Sequence, residues 1–83
     1  MIVEEIKQKA QGIVLGLLPD VGKDEIADDT EIFDLGLDSI NAMTLISNIQ
    51  DAFDISLEPS DFMFENFQNI ATITELIKRK KGF

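Results

Sequence analysis

The chain contains no cysteine and no histidine. Without cysteine there is no disulfide to staple a small fold and nothing that points to an oxidising compartment, so a reducing cytoplasm fits. Without histidine the commonest metal ligand is missing, and no Ser-His-Asp triad can form. No apolar run approaches the roughly 20 residues a membrane span needs. The start, Met1-Ile2-Val3-Glu4-Glu5-Ile6-Lys7, has no basic leader followed by an apolar stretch, so a soluble, unprocessed protein with no membrane span is expected. Bases are scarce as well. Seven against sixteen acids leave a net charge of -9, which argues against nucleic acid, because a phosphate backbone rewards Lys and Arg.

What is present suits one small domain spanning residues 1–83, with 45% apolar residues to build a single core. Eight of the sixteen acids (Asp20, Asp24, Glu25, Asp28, Asp29, Glu31, Asp34 and Asp38) fall between positions 20 and 38, while four of the seven bases form the run Lys78-Arg79-Lys80-Lys81. Each block reads either as a solvated face or as a surface that steers a partner.

Apolar residues at steps of three and four (Val3, Ile6, Ala10, Ile13, Val14, Leu17, Leu18) predict an amphipathic first helix, ending near Pro19. A long acidic loop follows, in which Ile26, Ile32, Phe33 and Leu35 are placed to pin it to the core. Asp38 is the expected N-cap of a second helix running to about Phe53. Its stripe of Ile40, Ala42, Met43, Leu45, Ile46, Ile49, Ala52 and Phe53 is wide, and Ile40 and Met43 are assigned to core packing by their helical spacing. Leu37 is open between core and site. Ser60-Asp61-Phe62-Met63-Phe64-Glu65 reads as a capped turn or short helix with three apolar residues to bury. A last helix begins at Asn69 or Thr72 with the stripe Ile70, Ile73, Leu76 and Ile77; Thr72-Ile73-Thr74-Glu75 has capping-box form, and the basic run suits the negative end of the helix dipole. The expected fold is all-α: a small four-helix bundle of three main helices and one short one.

Catalytic readings fail on the residues. The segment around Ser39 lacks the glycine a nucleophile elbow needs after its serine, and nothing in the sequence would lower the pKa of Lys7, Lys9 or Lys23 for a serine-lysine pair. A calcium loop begun at Asp34 would put Ser39 where glycine is required and Leu45 where glutamate is required, and one begun at Asp28 fails at Thr30, Ile32 and Phe33. No glycine-rich phosphate cradle is present. The expected protein is therefore not an enzyme. Ser39, just after an N-cap, sits where helix-terminal N–H groups favour negative charge, so a phosphate ester there would be stabilised by about 0.3–1 kcal/mol. Taken alone, Asp-Ser could equally be a helix cap and nothing more.

Asp34-Leu35-Gly36-Leu37-Asp38-Ser39-Ile40 resembles the Asp-Ser-Leu/Ile signature of the acyl carrier protein family. The likeness extends through the first helix, the acidic loop, the helix opening at the serine, Phe53-Asp54-Ile55 and the last helix. It implies that Ser39 carries 4'-phosphopantetheine, attached by a phosphopantetheinyl transferase that engages Asp38 through a magnesium site. It also implies a monomer that holds acyl or aminoacyl thioesters for separate acyl-loading, condensing or adenylating enzymes. Fatty-acid carriers usually bear acids along the second helix, whereas Asn41 to Gln50 contains none here. That departure, with Met63-Phe64-Glu65-Asn66-Phe67, leans toward a discrete carrier in a specialised, polyketide-like pathway. An aminoacyl or peptidyl carrier is the alternative, although Gly36-Leu37 stands where peptidyl carriers typically have Gly-Gly. An unmodified helical interaction module is a third.

Overall fold

The helices form where the apolar stripes lie. In the computed structural model, which describes residues 2–82, α1 spans Val3–Gly16, α2 Ser39–Phe53 and α3 Ile70–Lys81. Short 3-10 turns fill the connections at Lys23–Glu25, Ile32–Leu35, Pro59–Asp61 and Phe64–Asn66, and there is no strand among the described residues. The fold is thus an all-helical bundle as expected. Its short element is a pair of 3-10 turns rather than one α-helical piece.

Each helix turns one face to a shared core: Ile6, Ala10 and Val14 from α1, Leu45, Ile49 and Phe53 from α2, and Ile70, Ile73, Leu76 and Ile77 from α3. Fully burying an aliphatic side chain of this size stabilises by about 1.5–3 kcal/mol, so this seam holds the bundle together without a staple. α1 lies chiefly against α3 and also against α2.

The long first loop is pinned as the sequence suggests, by buried Ile26 and Ile32, while Phe33 and Leu35 pack half-buried at its edge. Two backbone bonds tie it to the start of α3: Ile32 N–H donates to the Gln68 carbonyl at 3.0 Å, and Ala71 N–H to that of Asp28 at 3.0 Å. The start of α3 is settled by Asn69. Its Oδ1 accepts the Thr72 N–H at 2.8 Å, and Thr72 Oγ1 accepts the Asn69 N–H at 3.1 Å, so the reciprocal cap joins Asn69 to Thr72 and not Thr72 to Glu75.

The basic run that ends α3 bonds back onto its own chain. Lys78 pairs with Glu75, Arg79 Nη2 donates to Asn66 Oδ1, Lys80 Nζ lies 2.6 Å from Asp61 Oδ2, and Lys81 Nζ donates to the Phe53 carbonyl.

Candidate functional site

Ser39 is the first residue of α2, and three neighbours fix it there. Gly36 ends the Ile32–Leu35 turn at φ +112°, in the left-handed region where only glycine is unstrained. Leu37 is buried, which settles its role as an anchor. Asp38 is the N-cap as expected: its Oδ1 accepts the Asn41 N–H at 2.8 Å. The Ser39 side chain is exposed, and the N–H groups of Ser39 and Ile40 open the helix with no carbonyl of a preceding turn to receive them. An exposed hydroxyl beside unpaired helix-terminal N–H groups fits a phosphate ester.

Ile40 and Met43 overturn their assignment to the core, being 77% and 74% exposed. At 3.6 residues per turn, Leu45, Ile49 and Phe53 define the inward face of α2, and Ile40 and Met43 fall on the opposite side of the helix. A wide stripe reveals that a helix is apolar on two sides, not which side is covered.

Ser39 also borders a cleft of about 280 Å³. Ala42, Leu45 and Ile46 form its α2 side, Phe67 lines it as well, and Phe62, Met63 and Phe64 form the wall away from α2. Those last three, expected to be buried, are 50%, 52% and 55% exposed. Phe33 also lines it, its ring 5.5 Å from that of Phe64 and tilted by 40°. Sequence reasoning took Phe33 as a loop pin and missed the cleft. The available signal was the run Phe62-Met63-Phe64, three large apolar residues in a row between turn formers.

The wall segment is charged at its ends. The Lys80 ammonium, hydrogen-bonded to Asp61, holds that carboxyl below the usual carboxylate range, helped by the Glu58 N–H, and Asp61 in turn raises Lys80. Across the molecule, the hydrogen bond to Asp28 raises Lys7, and this Lys7–Asp28 contact at 2.8 Å is the ion pair of the acidic loop among the described residues. No group of three or more acids is gathered to hold a metal ion among the described residues, and none of the described helices is long and apolar enough to cross a membrane.

The chain is similar to known carrier proteins in sequence and in fold. The family model described as a phosphopantetheine attachment site matches residues 10–77. The chain is 32% identical over 82 residues to an acyl carrier protein of Chloroherpeton thalassium, covering 98% of this chain and 99% of that one. It is 38% identical over 63 residues to the D-alanyl carrier protein of Lactococcus lactis, covering 72% and 80%. A segment of a non-reducing polyketide synthase of Emericella nidulans is 43% identical over 54 residues, or 65% of this chain, which spans only 2% of that protein's length. Among solved structures, a Bradyrhizobium japonicum glycine:[carrier protein] ligase complexed with its cognate carrier protein provides a match with a TM-score of 0.80, at 19% identity, over 89% of this chain and 96% of the matched one. The chain therefore belongs to the phosphopantetheine-attachment family of carrier proteins, non-catalytic domains that bear a covalently attached 4'-phosphopantetheine.

Proposed function

We propose that Ser39 is the attachment residue and that the chain holds acyl intermediates as thioesters for separate enzymes of a specialised, polyketide-like pathway. One observation carries the reading: an exposed serine hydroxyl stands at the open N-terminus of α2, at the mouth of an apolar cleft, with the adjacent carboxylate already engaged as the cap. The phosphopantetheine arm supplies a terminal thiol, and this chain's residues give that arm a fixed point of departure. The partners on this reading are a phosphopantetheinyl transferase followed by acyl-loading and condensing enzymes. The outer face of α2 supports a specialised set of partners, since between Asn41 and Gln50 it offers no acid to a basic patch and instead exposes Met43, beside Ile40. The likeness to a polyketide synthase segment points the same way.

A second reading, an aminoacyl carrier loaded by an adenylating enzyme, is supported by the likeness to a D-alanyl carrier protein. A competition separates the two. The phosphopantetheinylated protein is offered acyl-coenzyme A with an acyltransferase, and amino acids with ATP and an adenylating enzyme, and intact mass identifies the adduct. The first reading predicts acyl adducts. Aminoacyl adducts alone would establish the second, and no adduct from either system would remove both.

A further inference from the structure

The far wall of the cleft lies in a segment whose helical pieces are three residues long, and its apolar side chains are half exposed. Burial of that extent does not by itself fix a turn. Polar ties to the last turn of α3 bracket it instead. Before the wall, Lys80 Nζ lies 2.6 Å from Asp61 Oδ2 and 3.7 Å from Glu58 Oε2, and Asp61 Oδ2 also accepts the Glu58 N–H at 2.8 Å. After it, Arg79 Nη2 donates to Asn66 Oδ1 at 3.1 Å, and Asn66 Nδ2 donates to the Asp61 carbonyl at 2.9 Å, closing a loop around Phe62, Met63 and Phe64. The Asp61 and Lys80 side chains are only 15% and 23% exposed, well shielded for a pair at the surface, so solvent screens it less than an open pair.

We propose that Lys80 and Arg79 are positioning residues: acting through Asp61 and Asn66, they hold the turn that bears Phe62, Met63 and Phe64 against α2. The last turn of α3 thereby sets the width of the cleft beside Ser39. The consequence rests on the reading of Ser39 as the anchor, because a group leaving its Oγ starts at this cleft. The clamp itself is tested on the unmodified chain, so its failure would leave the attachment reading untouched.

Hydrogen exchange and fluorine NMR of protein labelled with para-fluorophenylalanine read it out. The Asn66 and Phe67 amides bond to the Met63 and Phe64 carbonyls, both at 2.9 Å, and so report directly on the turn. Lys80→Met keeps the aliphatic stem and removes the charge. It is expected to speed exchange at Asn66 and Phe67 by about tenfold while α1 amides change by less than about twofold, since a charge-assisted bond is lost only locally. The Phe33 and Phe64 resonances should move and that of Phe53 should not, and Lys80→Arg should restore the wild-type pattern. Unchanged amides and resonances in Lys80→Met would overturn the proposal, and so would equal acceleration throughout the chain. If Lys80→Met does not fold, Asp61→Asn serves, since it keeps the shape and removes the charge from the other side of the pair; it should speed exchange at Asn66 and Phe67 relative to α1. No relative change would overturn the proposal.

Discussion

The two ends of α2 are finished in opposite ways. At the C-terminus three of the last four carbonyls find donors beyond the helix: Lys9 Nζ reaches the Ala52 carbonyl at 2.8 Å, Lys81 Nζ that of Phe53 at 2.9 Å, and the Ile55 N–H of the following turn that of Gln50 at 3.2 Å. Asp54 takes the left-handed conformation at φ 53°, and the Lys9 ammonium lies 5.2 Å from the centre of the Phe53 ring. At the N-terminus a single side chain, Asp38, caps the helix and Ser39 is left open to solvent. One end is locked to α1 and α3, and the other is held by a cap, a glycine turn and a buried leucine so that it can present a hydroxyl. Rigidity at the far end lets the near end be both exposed and well placed.

This contrast can be broken from either end. Gly36→Val should have the largest effect, because a side chain in the left-handed region costs about 1–2 kcal/mol. Chemical denaturation would measure it, and Gly36→Asn should recover part of the loss. Asp38→Ala removes the N-cap and is expected to cost about 1 kcal/mol, with faster exchange confined to the first turn of α2. At the far end, Lys9→Met and Lys81→Met should each cost about 0.3–1 kcal/mol, with the loss shrinking in high salt, as a cation at a helix C-terminus does. Exchange would then quicken near Phe53 and not near Ser39.

The pH dependence comes from the clamp on the cleft wall. Asp61 is held below its ordinary value of 3.8, so its contribution is complete above that pH and is lost as pH falls through the lowered value. Lys80 is raised above 10.5, so its contribution is complete below that pH and disappears as pH rises through the raised value. The turn at Phe62 to Phe64 should therefore be tightest between these limits, and Asp61→Asn should flatten the acid limb of a stability-against-pH curve. The smallest effect is global. Moderate salt should raise the melting temperature slightly by screening the eight acids between positions 20 and 38.

Much of the near end of α2 was legible in the residues. Asp38 as cap, Ser39 at the helix start and Gly36 as the turn follow from local chemistry, and the structure shows each of them in that geometry. Ile40 and Met43 were misassigned because spacing defines a stripe without saying which part of it a neighbour covers. Phe62, Met63 and Phe64 look like core in composition, yet they line an open cleft, because two 3-10 turns leave them too little surface to pack against. The partners of Lys80, Lys81 and Lys9 depend on how the helices come together, which no local pattern encodes.

The central claim is tested most directly by intact mass and peptide mapping after incubation with a broad-specificity phosphopantetheinyl transferase and coenzyme A. The wild type should gain one phosphopantetheine on the peptide containing Ser39. Ser39→Ala should gain none while losing less than about 1 kcal/mol of stability, since Asp38 supplies the cap. A wild type that stays unmodified, or a Ser39→Ala protein that is modified or fails to fold, would contradict the account.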